Sequence, residues 1–133
     1  MLAARRAMLG EALQEIDVPV TVWVQGDEGA REAADLVTLQ ELQPLLAVRP
    51  VHPVLPHPWL PIERYPVYRV GMPESPQTAR AGFVGFPEGF MLDAFCDLAV
   101  AVSRGDAPAS PLARDTLRQM RDPVAITILT SPG

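Results

Sequence analysis

Five of the fifteen prolines in this chain fall between Pro50 and Pro61, and this cluster restricts the fold more than any other feature. Proline has no backbone N–H and a fixed φ, so neither a helix interior nor a central strand can pass through such a segment. With no internal repeat or low-complexity tract around it, the cluster reads as one stiff, extended connection. Elements must therefore be completed ahead of it and begun again after it.

Ahead of the cluster, Leu2, Leu9, Leu13 and Ile16 recur at helical spacing while Arg5, Arg6, Glu11 and Glu15 lie off that stripe. This predicts an amphipathic helix over 2–16, ended before Pro19. Val18 to Val24 alternates and is rich in valine, which predicts a strand, and Gly26-Asp27-Glu28-Gly29 makes its turn. A second helix is predicted from Ala30 to Ala47, with Ala34, Val37, Leu42, Leu45 and Leu46 on one face and Pro44 kinking or shortening it. Val48 to Leu55 predicts a second strand, confined to a sheet edge by Pro50 and Pro53.

Beyond the cluster, Tyr65 to Gly71 predicts a third strand, Met72 to Gln77 a turn, and Arg80 to Val84 a fourth strand, close enough to form an antiparallel hairpin. Phe90, Met91, Ala94, Phe95, Leu98, Ala101 and Val102 set out a broad apolar stripe on a helix that Gly105 ends. Ser110 and Pro111 are a good cap and first-turn pair for a helix running to Arg121, with Leu112, Leu117 and Met120 inward. Val124 to Leu129 is apolar and β-branched and predicts a closing strand, stopped by Ser131, Pro132 and Gly133.

Length and charge exclude several functions. A chain of 133 residues suits one core that buries roughly two thirds of its unfolded surface. The net charge of −5, with 11 scattered basic residues, argues against nucleic acid as a partner. The apolar runs fall well below the ~20 residues of a membrane span. The N-terminus soon turns charged at Arg5 and Arg6, unlike a signal peptide, so we expect a cytoplasmic protein without a membrane partner. Cys96 stands alone, which rules out an intramolecular disulfide, and its neighbours Phe95 and Leu98 predict a buried, inert thiol. His52 and His57 lack further ligands for zinc, and Trp59 beside them reads as an anchor for the proline-rich connection. No Ser/His/Asp grouping, phosphate-cradling loop or carboxylate pair marks a catalytic, metal or cofactor site, and we expect no catalysis by this chain alone.

Without its first and last two elements, the predicted order is β-α-β-β-β-α: a βαβ unit with a right-handed crossover, then a hairpin and a helix. Tyr65-Pro66 opens the third strand, and Gly82-Phe83-Val84-Gly85-Phe86-Pro87-Glu88-Gly89 carries the last strand into the final helix. The helix over 110–121 and the strand over 124–129 then follow. This combination resembles an α/β thioredoxin-like fold, three-layered around a four-stranded mixed sheet, with an extra N-terminal helix and a C-terminal helix-strand extension. In particular it resembles the tandem thioredoxin-fold domain at the N-terminus of the alkyl hydroperoxide reductase flavoprotein subunit, and the related protein disulfide oxidoreductases.

The resemblance implies a first fold over 1–105 that lacks a redox dithiol, and over 106–133 the start of a second fold whose Cys-x-x-Cys would follow its first strand. It also implies a cis-proline at Pro66. The chain departs from the family where the chemistry resides. Disulfide exchange needs an attacking and a resolving thiol, whereas the loop Gln25 to Arg31 offers acidic side chains and no sulfur. Asp27 and Glu28 read instead as residues that favour a helix start.

The expected function is a non-catalytic domain that binds or positions a protein partner in thiol redox or peroxide defence. Its candidate partner-binding residues are Tyr65, Pro66, Gly26, Asp27 and Arg31. Two alternatives stand beside it: self-association, as a homodimer using the closing strand, and a fragment of a disulfide oxidoreductase whose dithiol lies past Gly133.

Overall fold

Along the strand Val20–Gln25 (β1), all six side chains are buried, the pattern of a central strand covered on both faces. The computed structural model describes residues 1–26, 28–51, 66–105, 110–122, 124, 126 and 128. β1 pairs in parallel with Leu46–Pro50 (β2) and antiparallel with Val67–Gly71 (β3). β3 in turn pairs antiparallel with Ala81–Val84 (β4), giving a mixed open sheet of order β2-β1-β3-β4. β2 lies at an edge, as its proline predicts, with Pro50 its last residue.

Four helices accompany the sheet: Ala3–Leu13 (α1), Ala34–Leu42 (α2), Phe90–Arg104 (α3) and Pro111–Arg118 (α4). Leu9 and Leu13 of α1, Leu36 and Leu39 of α2, and Leu92, Phe95 and Ala99 of α3 share one core with Val20, Val22, Val24, Leu46, Tyr68 and Val70. By the pleat, those strand residues all lie on one face. The other face carries a smaller cluster of Trp23, Val51 and Ala79. The three-layer expectation therefore meets only one helical face among the described residues.

Several expected elements change. The helix expected over 30–47 is split: a 3-10 turn occupies Glu28–Glu32, and α2 runs only from Ala34 to Leu42. Pro44 cannot continue the helix, and Leu46 is released to open β2. The buried face of α2 is Leu36 and Leu39, whereas Val37 is exposed. Its N-cap is Ala33 with no side-chain cap, and Glu28 opens the 3-10 turn instead of α2, while Asp27 lies outside the described residues.

The stripe on α3 is also rotated. Leu92, Phe95, Cys96, Ala99 and Ser103 face inward, while Phe90 is 76% exposed. Gly105 does end α3, in the left-handed conformation expected of a C-capping glycine. Ser110 caps α4 through its hydroxyl, which accepts from the Ala113 N–H. Yet α4 has no buried residue, and Leu112, Leu117 and Met120 are exposed rather than inward. The expected closing strand is not formed at Val124, Ile126 or Ile128, which stand exposed and outside the sheet. Residues 123, 125, 127 and 129–133 lie outside the described residues.

Candidate partner-binding site

Three chain segments meet where β1 ends and β3 begins. Gly26 follows β1 directly, and a Cβ placed on it would stand 3.1 Å from the Cβ of Pro66, 3.3 Å from its Cα and 3.4 Å from the Cβ of Ala30. Only a residue without a side chain lets the turn after β1 close onto Pro66 at this distance. Pro66 immediately precedes β3, and its carbonyl accepts a 2.7 Å hydrogen bond from the N–H of Gly85, just past β4. That bond extends the β3–β4 pairing to the sheet end and fixes Pro66 against the bend that leads into α3.

Below this junction, Tyr68 fastens the turn to the sheet. Its phenol donates a buried 2.8 Å hydrogen bond to the Ala30 carbonyl, within the 3-10 turn. Its ring meets Phe86 edge-on at 5.1 Å, and Phe86 lies 5.5 Å from Phe95 of α3. The aromatic chain thus runs from the turn after β1 to the helical core. Such edge-to-face pairs contribute beyond their buried area.

Of the five candidate residues, the structure brings Gly26 and Pro66 into contact. Arg31 is half-buried in the same turn, next to Ala30. Tyr65 and Asp27 lie outside the described residues, as do His52, His57 and Trp59. Sequence reasoning missed Tyr68, Ala30 and Phe86 as the support of this junction. A usable signal was present: Tyr68 alternates with Val67 and Arg69 in a strand, and a buried tyrosine hydroxyl requires a partner.

Among the described residues this junction presents a backbone turn, a proline ring and the half-buried Arg31, and no thiol or hydroxyl nucleophile. Cys96 is buried in α3 within the main core rather than at this junction. Burial, reinforced by Asp93 and Asp97 and opposed by Arg5, pushes its thiol up to about 12. A thiol so rarely ionised is a poor attacking group. Among the described residues no group of three or more His, Cys, Asp or Glu could hold a metal ion, and no helix is long and apolar enough to cross a membrane.

No protein-family model matches the chain, and no curated protein matches it. Among solved structures, the chain is similar to the crystal structure of Sso1120 from Sulfolobus solfataricus, with a TM-score of 0.56 and 13% identity. The match covers 87% of this chain and 59% of that one, so the chain spans less than two thirds of that protein's length. At this identity the likeness concerns the fold alone.

Proposed function

We propose that this chain is a non-catalytic thioredoxin-like domain, akin to the first fold of tandem thioredoxin-fold proteins, that binds or positions a protein partner in thiol redox or peroxide defence. The observation that carries the reading is the contact of Pro66, at the head of β3, with Gly26 in the turn after β1. In a thioredoxin-like fold these are the places of the substrate-side proline and the active-site loop. The sheet order β2-β1-β3-β4, with its parallel first pair and antiparallel hairpin, supports the same reading. The absence of sulfur from Gln25 to Arg31 supports binding rather than exchange. An extended peptide would lie beside Pro66, recognised through its backbone.

Replacing Pro66 by alanine should weaken capture of thiol-redox proteins from a cell extract while the far-ultraviolet dichroism stays unchanged. Equal capture by both proteins would discard this surface. Insulin reduction with dithiothreitol should show no rate above background, and a clear rate would discard the non-catalytic reading.

A second reading, self-association, is favoured by Val124, Ile126 and Ile128, which are 60%, 80% and 77% exposed. Exposed β-branched residues in a row invite strand pairing. Light scattering on the intact chain and on one cut at Asp122 should show a larger species only for the intact chain, and a monomer in both would dismiss this reading.

A further inference from the structure

We propose that the outer edge of β4 is a docking site for an extended acidic segment of another protein, which adds to the sheet as a fifth strand and sets its carboxylates against Arg69 and Arg80. The proposal is independent of the surface around Pro66.

β4 ends the sheet order, so among the described residues one side of its backbone has no neighbouring strand. Natural edges are guarded by prolines, charges or bulges. Ala81, Gly82, Phe83 and Val84 contain no proline and no charge, and all but Phe83 are exposed. The edge is therefore open to main-chain pairing of the kind that captures extended peptides.

Charge then selects the occupant. Arg69 stands opposite Gly82 in the β3–β4 register. A Cβ on Gly82 would lie 2.9 Å from the Arg69 Cα and 3.0 Å from its Cγ, besides colliding with the Tyr68 carbonyl oxygen. Glycine at this position leaves room for the stem of Arg69 over β4. Arg80 is exposed and immediately precedes the strand. By the alternation of a strand, Arg80, Gly82 and Val84 share the face on which Arg69 lies.

Four other arginines are matched: Arg5 with Asp93 at 3.5 Å, Arg6 with Glu41 at 3.2 Å, Arg104 with Glu15 at 3.0 Å and Arg118 with Asp115 at 3.8 Å. Among the described residues neither Arg69 nor Arg80 has a carboxylate partner. In a chain of net charge −5, two uncompensated guanidiniums beside an open strand edge complement an acidic strand. The fitting pattern is two carboxylates at alternating positions, opposite residues 80 and 82, followed by an apolar residue opposite Val84, which is 43% exposed. Single-stranded nucleic acid fits less well, because it needs exposed aromatic faces for stacking. Trp23, beside Arg69 in the register, is only 7% exposed and donates its indole N–H to the Met72 carbonyl.

The test is a nitrogen-15 NMR titration of the full chain with the capped peptide Val-Thr-Glu-Thr-Glu, run beside Val-Thr-Lys-Thr-Lys and a short oligothymidylate. The acidic peptide should shift the amides of residues 81–84, with added salt weakening it. The lysine peptide should bind about tenfold more weakly or not at all, and Arg69→Gln with Arg80→Gln should cost the acidic peptide about tenfold. Should the double variant unfold, Arg80→Gln alone serves, since that side chain is exposed. Equal binding of the two peptides, shifts confined to β2 or the helices, oligothymidylate binding at the same amides, or dimer formation through β4 would each overturn the proposal.

Discussion

The phenol of Tyr68 donates a 2.8 Å hydrogen bond to the carbonyl of Ala30, tying β3 to the turn that follows β1. Tyr68→Phe keeps the ring on Phe86 and removes only the hydroxyl. A typical net loss of about 1 kcal/mol is expected in urea unfolding. Amide exchange should quicken in the turn Glu28–Glu32 more than in α1, because the lost bond is local to that turn.

Two glycines should respond in opposite directions. A Cβ at Gly71 would meet the N and Cα of Ala79 at 2.7 and 2.8 Å, and backbone cannot yield as a side-chain end can. Gly71→Ala should therefore cost about 1–3 kcal/mol. At Gly10, within α1, the nearest atom is the Leu42 Cδ2 at 3.4 Å. Gly10→Ala should raise stability by about 0.5–1 kcal/mol, since alanine is the better helix former. Thermal melts of both variants check the pair.

Ser103 joins the end of α3 to the start of the sheet. Its hydroxyl accepts from the N–H groups of Asp17 at 3.2 Å and Val18 at 3.3 Å, and donates to the Asp17 carboxylate at 3.2 Å. Ser103→Ala would leave two part-buried donors without this acceptor. A loss of about 1–3 kcal/mol is expected by chemical denaturation.

Cys96 should resist alkylation in the native protein at pH 8 and react at once in urea. Its thiol is held up at about 12, against 9.0 for an unburied thiol. Below pH 9 both folded and unfolded states keep the proton. Above it the unfolded state ionises first, so stability falls as pH rises, and the loss levels off near pH 12. The chain has no lysine, its 11 basic residues all being arginine, which leaves few other groups to titrate in that window. The difference in stability between the wild type and Cys96→Ala, followed from pH 8 to 11, should therefore shrink with pH. A constant difference would mean that Cys96 does not keep its proton.

The order of strands and helices through Gly105 was legible because β-branched runs, glycines and prolines act locally. Helix faces were less legible. From Phe90 to Val102 nearly every position is apolar, so hydrophobicity alone does not choose a side. The clue was the pair Asp93 and Asp97, one turn apart, whose opposite face holds Leu92, Phe95 and Ala99. On α4 the apolar residues were readable, but their exposure was not, since a helix cannot report whether anything lies against it.

The candidate site was legible only as separate pieces. Gly26 and Pro66 stand out as turn and strand-start residues, yet they are forty positions apart in a chain whose local rules reach only a few residues. The sequence by itself determined where the chain turns, which strand is confined to an edge by proline, and that the single thiol is buried. Tertiary structure alone decided that Gly26 seats on Pro66, that Tyr68 reaches Ala30, and that Arg69 leans over Gly82 at an open edge. Those relations follow from strand register and packing, which join residues distant in sequence and so leave no local pattern to read.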